Sequence, residues 1–483
     1  MDKIQIEKLD EVYNKIHCEP SVAYELNDYF TFDVPGAKFM PAYRNKFWDG
    51  KIRLFNAMTC TLYSGLNRYV EEFCKSRNYE VEYITDFSAT EFSVKEAKEF
   101  VLKLKPTMQP RDYQLEAFVH AVRERRALLL SPTASGKSFI IYLITRYYNA
   151  RTLIIVPTTS LVSQLASDFG DYGFNVDNGV HRIFAGQDKQ SDKQVTISTW
   201  QSIYKLDKTY FDQFDLVIGD EAHLFKAKSL TSILTKLDNC KYRFGFTGTL
   251  DGTQTHKLVL EGLFGPVRKV TTTAELIEQK HLASFKIKCI VLSYPDEVRK
   301  MIARAADYQA EMDYIVRLEE RNKFIRNLTL SLEGNTLLLF QFVDKHGKVL
   351  YDKLKQEAGD RNVYYVAGSV DGEEREAIRK IVETESNAII VASFGTFSTG
   401  VNIRNLHNVI FSSPSKSKVR NLQSIGRGLR KSDTKDSATL YDIADDMSWK
   451  QKKNFTLLHF MERIKMYNEE KFPYKLYKVS LNV

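Results

Sequence analysis

Cysteine is thinly used: five residues in 483, odd in number and scattered at Cys18, Cys60, Cys74, Cys240 and Cys289. That excludes a disulfide framework and metal-ligand spacing, and it fits a reducing compartment with buried thiols. No apolar run is long enough to cross a bilayer, so no membrane association is expected. The opening residues, Met1-Asp2-Lys3-Ile4-Gln5-Ile6-Glu7-Lys8, alternate charged and apolar side chains and are not expected to form a signal peptide. The sequence shows no internal repeat and no low-complexity tract. What is present is a globular composition, 43% hydrophobic and 27% charged, with a net charge of +8 that suits a polyanionic partner. At 483 residues the chain exceeds one core, and about three domains are expected.

The stretch that organises the rest is Ser131-Pro132-Thr133-Ala134-Ser135-Gly136-Lys137-Ser138. A short apolar run, Ala127 to Leu130, precedes it and reads as a buried strand; Phe139 to Ile144 follows and reads as a buried helix. A strand turning tightly into a helix at Gly-Lys-Ser is built to hold phosphates. Backbone N–H groups converge on the anion, the helix N-terminus adds positive potential, Lys137 brings a full charge, and Ser138 can ligate Mg²⁺. Ser131 stands where the pattern G-x-x-x-x-G-K-[ST] has its first glycine.

Residues 1–105 read as a small α+β domain expected to bind nucleic acid, with a strand at Ile4 to Ile6 and helices over 21–30, 67–78 and 93–104. Between Lys38 and Phe55, basic residues including Arg44, Lys51 and Arg53 stand among aromatics including Trp48, and Asp49-Gly50 predicts a hairpin turn. Two such strands would offer phosphates a basic face and bases a stacking platform; equally, the aromatics could be core and the charges solvated.

From 106 to 285 strands and helices alternate, which predicts a parallel sheet covered on both faces. Polar clusters sit at the strand ends: Pro157-Thr158, Thr199 with Gln201, Asp220-Glu221-Ala222-His223, and Thr247-Gly248-Thr249. In open α/β sheets ligands bind beyond the carboxyl ends of the strands. A long basic helix is expected over 296–320 and another over 321–332, before alternation resumes through a second α/β domain to 446. Residues 447–483 read as a long basic helix and a short tail that packs back on the body. The fold expected is α/β, two tandem parallel-sheet domains behind a small α+β domain.

Asp220 and Glu221 supply two carboxylates for different tasks, one holding a metal and the other orienting and deprotonating water. In the second domain, Gln423, Arg427 and Arg430 fall on one face of a helix, where two guanidiniums would suit a γ-phosphate.

Taken in order, 133–138, 220–223, 247–249 and 423–430 resemble motifs I, II, III and VI of superfamily 2 helicases of the DEAH-box type. Arg111-Asp112-Tyr113-Gln114 resembles the upstream adenine-reading motif, and Ser398-Thr399-Gly400 resembles motif V, with Asn402 standing where many relatives have aspartate. The resemblance implies RecA-like domains, ATP and Mg²⁺, and a nucleotide site of Arg111, Gln114, Thr133, Ala134, Ser135, Gly136, Lys137, Ser138 and Gly400. It implies coupling through His223, Thr247 and Thr249, and strand contacts at Pro157, Thr158, Thr199 and Gln201.

Phe47 to Leu54 and the segment around Glu319-Glu320-Arg321-Asn322 resemble more closely the recombination and repair helicases of T4-like phages. That implies a monomeric motor in the host cytoplasm acting on branched, duplex or single-stranded DNA or RNA–DNA hybrids, with phage recombination proteins as partners. It also implies a role in junction migration, fork regression and R-loop or D-loop removal. An RNA helicase, a restriction-system motor and a nucleotide-gated binding module without turnover stay open as alternatives.

Overall fold

In the computed structural model, all residues are described except 1–2, 86–89, 185, 225–227, 251–252, 369, 371, 401–402, 404, 416, 418–420, 422–423, 427–436 and 483. The chain divides into two compact units, Met1–Ser131 with Gly136–Val270, and Pro132–Ser135 with Thr271–Val483.

The first unit opens with a small module. Strands β1 (Lys3–Lys8), β2 (Tyr13–His17), β5 (Thr61–Tyr63) and β6 (Glu80–Tyr83) form a sheet in the order β5-β2-β1-β6, and β3 (Thr31–Asp33) pairs with β4 (Lys51–Arg53) as a separate ribbon. Alternation along β1 sends Ile4 and Ile6 into a core with Leu26, Phe30, Leu66, Val70 and Phe73. The expected hairpin turn at Asp49-Gly50 is not there. The ribbon pairs Thr31 with Arg53, and the connection between its strands holds a helical turn at Pro41–Arg44, started by a proline whose φ suits that position. Gly50 is needed for another reason: its φ is +80°, and a Cβ would lie 3.0 Å from the Tyr43 ring. The helix expected from Ser21 begins at Pro20 instead, with no side-chain cap.

The module leads into a seven-stranded sheet: β7 (Arg126–Leu130), β8 (Thr152–Val156), β9 (Val180–Ile183), β10 (Val195–Thr199), β11 (Leu216–Gly219), β12 (Tyr242–Thr247) and β13 (Val267–Lys269). Its order is β13-β7-β12-β11-β8-β10-β9, parallel throughout. β8 and β10 are buried along their whole length, as continuous apolar runs with helices on both faces should be.

The second unit repeats this plan with β14 (Ser284–Ser293), β15 (Thr336–Phe340), β16 (Val363–Val366), β17 (Ile389–Ser393), β18 (Asn408–Phe411), β19 (Ser437–Asp446) and β20 (Tyr474–Ser480). Its order is β16-β17-β15-β18-β19-β14-β20, again all parallel. Numbered one to seven along the chain within each sheet, both orders are 3-4-2-5-6-1-7. The chain is therefore a structural repeat, although its sequence shows none.

One expectation for this unit is corrected: the long helix over 296–320 is broken into Asp296–Ala305 and Tyr308–Arg317, because Ala306 turns left-handed (φ +48°) and Asp307 caps the next helix through Ala310 N. The helix expected over 321–332 is present as Glu319–Ser331. The final tail packs back on the body: after the helix Phe455–Glu469 it becomes β20, pairing Ile287 to Ser293 of β14 with Tyr474 to Ser480. Among the described residues no helix is long and apolar enough to cross a membrane.

Candidate active site

β7 stops at Leu130 and the helix Lys137–Tyr148 starts across a short loop. That helix is anchored by an unbroken buried run, Phe139 to Thr145, so the loop cannot drift from the sheet. Ser131 N donates to Thr247 O (2.8 Å), which ties the start of the loop to the end of β12. Ala134 (φ +67°) and Gly136 (φ +77°) are both left-handed; for alanine this is strain, of order 1–2 kcal/mol. Ser135 Oγ donates to Pro132 O at 2.7 Å and braces the turn from within.

Gln114 is buried behind the loop. Its Oε1 accepts from Arg111 N (2.9 Å) and its Nε2 donates to Gly136 O (3.3 Å). A Cβ on Gly136 would lie 2.4 Å from that Nε2, so glycine is demanded here twice, by φ and by contact. Arg111 donates to the Tyr113 hydroxyl at 2.8 Å.

Lys137 Nζ lies 2.9 Å from Glu221 Oε1 and 3.9 Å from Asp220 Oδ1. Burial pushes the Asp220 carboxyl up to about 6; the Lys137 ammonium opposes the rise and Glu221 adds to it. Glu221 is itself left-handed (φ +53°), a second strained residue at the same spot. Its Oε2 is 3.3 Å from His223 Nδ1, and the same nitrogen is 3.0 Å from Thr247 Oγ1. Thr247 donates its proton to Thr249 O (2.8 Å), so it accepts from the Nδ1–H of His223. The carboxylates after β11 and the threonines after β12 are thus joined through one buried imidazole, and β11 and β12 are neighbours in register.

Sequence reasoning missed Tyr172. Its hydroxyl is 2.7 Å from Ser138 Oγ, and burial pushes its pKa up to about 12. Nothing in the spacing of the chain links these two residues. It missed Arg243 as well, a fully buried guanidinium on β12 that donates to the carbonyls of Leu234, Leu237 and Leu263 at 2.7–2.8 Å.

The expected strand contacts stand together. Thr199 of β10 is in register with Val156 of β8, so Pro157-Thr158 and Thr199-Trp200-Gln201 leave adjacent strands at the same edge. Thr158 caps the helix Thr159–Asp171 through Leu161 N, Thr199 Oγ1 meets Ser202 Oγ at 2.9 Å, and Gln201 is exposed. In the N-terminal module, Arg44, Lys51 and Arg53 are exposed, while Trp48 is half-buried and donates its indole N–H to Lys51 O. Arg53 pairs with Asp49 at 2.5 Å. Between Lys38 and Phe55 the open aromatics are Phe47 (86% exposed), Phe39 (66%) and Tyr43 (42%). Gly400 closes the helix Phe394–Gly400 after β17. Asn402, Gln423, Arg427 and Arg430 lie outside the described residues.

Two parallel sheets of one strand order, the first opening on a phosphate loop after β7 with acids at the end of β11, one strand removed across β12, make this a tandem RecA-like ATPase of the helicase type. Residues 3–84 match the family model DNA helicase UvsW, N-terminal; 107–252 match Type III restriction enzyme, res subunit; 320–432 match Helicase conserved C-terminal domain. The ATP-dependent DNA helicase uvsW of Enterobacteria phage T4 is 36% identical over 505 residues, covering 99% of this chain and 100% of that relative. Its crystal structure superposes with a TM-score of 0.53 at 35% identity, over 99% of this chain and 100% of that one. The DNA 3'-5' translocase XPB2 of Sulfurisphaera tokodaii is 27% identical, covering 68% of this chain and 80% of its own. The chain belongs to the UvsW family of ATP-dependent DNA helicases.

Proposed function

We propose that this chain uses ATP hydrolysis to remodel branched DNA: migrating junctions, regressing forks and displacing strands from R-loops or D-loops. In this reading Lys137 binds the phosphates, Glu221 orients and deprotonates the attacking water, and His223 passes the state of the site to Thr247 and Thr249. Arg427 and Arg430, with Gln423, complete the site from the second RecA-like domain. Gln114 and Arg111 read the base, and Gly400 belongs to the nucleotide site. Residues 1–105 serve as the nucleic-acid module, 106–285 and 286–446 as the two motor domains, and 447–483 as the extension.

Mg²⁺ fits the residues present. It takes oxygen ligands beside phosphates, and Ser138 and Asp220 are oxygen donors at the head of the loop. The raised pKa of Asp220 reports a buried charge only partly compensated by Lys137, which a divalent cation would offset.

The branched-DNA part rests on one observation. The segment 38–53 sets open aromatics, Phe39, Tyr43 and Phe47, among exposed Lys38, Arg44, Lys46 and Lys51. Bases stack on such rings and phosphates pair with such cations. The reading includes a motor that works as a monomer in the host cytoplasm, on DNA or RNA–DNA hybrids, alongside phage recombination proteins. The test is an ATPase and unwinding panel of single strands, duplex, fork, four-way junction, RNA–DNA hybrid and RNA. Preference for fork and junction is expected. Stimulation by RNA alone, or ATP binding without turnover, would overturn the reading.

A further inference from the structure

The second sheet carries a basic pocket that the ATP chemistry leaves unused. A cavity of about 750 Å³ is bordered by Lys300, Arg304, Trp449, Lys450 and Lys452, and no carboxylate lines it. Among the described residues none of these four cations has an ion pair, whereas the neighbouring Arg299 is matched by Asp296 at 2.9 Å.

The pocket is held firmly. Trp449 and Lys452 exchange both backbone hydrogen bonds (3.0 and 3.1 Å) around a left-handed Lys450 (φ +54°), so the tip of this small turn presents its cations in one direction. Arg299 Nε donates to Ser448 O (2.6 Å) on one side of the turn. On the other, Asn454 Nδ2 donates to Asp445 O and to Glu311 Oε1, and the buried Glu311 carboxylate accepts from Phe455 N and Thr456 N. Lys300 Nζ lies 4.9 Å from the centre of the Trp449 ring, which positions that ammonium against an aromatic face.

Its place in the fold suggests what it takes. The cations come from the helix after β14 and the turn after β19, adjacent strands in register. In the repeated strand order these are the counterparts of β7 and β12, whose ends hold the phosphate loop in the first sheet. A nucleoside triphosphate is disfavoured here. The helix Asp296–Ala305 begins with Asp296 and Glu297, which repel an anion at its N-terminus, and the cations stand further along at Lys300 and Arg304. Cations spread along a helix face and a turn tip, without a backbone cradle, suit an anion that is itself a chain.

The geometry points to a binding site for the phosphodiester backbone of a DNA strand, the phosphates on Lys300, Arg304, Lys450 and Lys452 and a base beside Trp449. The inference rests on the DNA reading above. The test measures affinity of the full chain for a single-stranded oligonucleotide and for a forked duplex as salt is varied. Lys300→Gln with Lys452→Gln is compared with the parent and with Lys323→Gln/Lys355→Gln, an equal charge change at exposed positions of the helices Glu319–Ser331 and Lys348–Glu357.

The pocket variant should bind about tenfold more weakly near 0.1 M salt and flatten the log–log salt slope by about 1.5, the release expected from two phosphate contacts. Trp449→Ala should weaken binding with the slope unchanged, since a ring carries no charge, and Trp449→Phe should restore most of it. Loss on either DNA supports the site; loss on the fork alone assigns it to an arm of the branch. Unchanged slope and affinity on both, or equal loss in the control variant, overturns it. A parent whose ATPase ignores DNA altogether would instead sink the DNA reading itself.

Discussion

Arg68, in the N-terminal module, reaches Glu261 on the helix flanking the first seven-stranded sheet at 2.7 Å, and the Glu261 carboxylate is fully buried. Tyr69 donates to the other oxygen (2.6 Å), and Val267 N donates to the first at 3.0 Å. The backbone closes in at the same point: a Cβ on Gly65 would lie 1.8 Å from Glu261 O, and one on Gly262 would lie 2.8 Å from Tyr63. Leu258, on the same helix, belongs to the module's apolar core. The module is therefore packed onto the first sheet, and the helix it grips follows the Thr247-Gly248-Thr249 strand end.

Glu261→Ala should be among the most damaging single changes in the first unit. It leaves Val267 N without its acceptor beside a buried site, and partly exposed Arg68 and Tyr69 without their shared carboxylate, at a cost of about 1–3 kcal/mol. Limited proteolysis should then release the module at concentrations that leave the parent intact. Gly65→Ala should do the same through steric displacement alone.

Lys137→Ala should reduce DNA-stimulated ATP turnover by about 10²-fold or more. Far-UV dichroism should be unchanged, because the helix is held by its buried run rather than by this side chain. Turnover at the parental rate would show that the phosphates bind elsewhere.

Gln114→Ala should raise the Michaelis constant for ATP several-fold more than it lowers the maximal rate. The side chain touches the backbone of the loop, Gly136 O, rather than the acids that act on water. Gly136→Ala should be worse on both counts, since it adds a left-handed alanine and a 2.4 Å contact.

His346 gives the second unit an acid sensitivity. It is fully buried in the π-turn Val343–Gly347, with Nδ1 3.1 Å from Ser413 Oγ; burial, aided by the Arg321 guanidinium, pushes its pKa down to about 3. The folded state refuses a proton that the unfolded chain takes up near 6.5. Its stability contribution is therefore complete above about 6.5 and is lost as pH falls towards 3, at about 1.4 kcal/mol per unit. Hydrogen exchange over Thr336–Phe340, corrected for intrinsic rate, should show about 2 kcal/mol less acid loss between pH 7 and 5 in His346→Gln than in the parent.

Local chemistry was legible in the sequence wherever it is contiguous. Gly136-Lys137-Ser138 between two apolar runs, and polar clusters at the ends of buried strands, follow from hydrophobic period and turn chemistry, which act over a few residues. The same local reasoning failed where a tertiary neighbour overruled it. Asp49-Gly50 carries a hairpin signal, but Tyr43 and the helical turn at Pro41 occupy the space and the strands pair further out. Asp296 to Glu320 keeps a helical pattern, yet Ala306 and Asp307 break it into two short helices whose Ile302 and Ile315 share a core with Ile290 and Leu292 of β14.

The sequence by itself determined the reaction-bearing groups and the two parallel sheets, because apolar strands and a phosphate loop are specified by residues adjacent in the chain. Only the tertiary structure decided that the two sheets repeat one strand order, that Tyr172 answers Ser138, and that Lys300 meets Trp449. Those relationships join strand ends and helices far apart in sequence. Crossover handedness and close packing bring them together, and neither leaves a pattern among neighbouring residues.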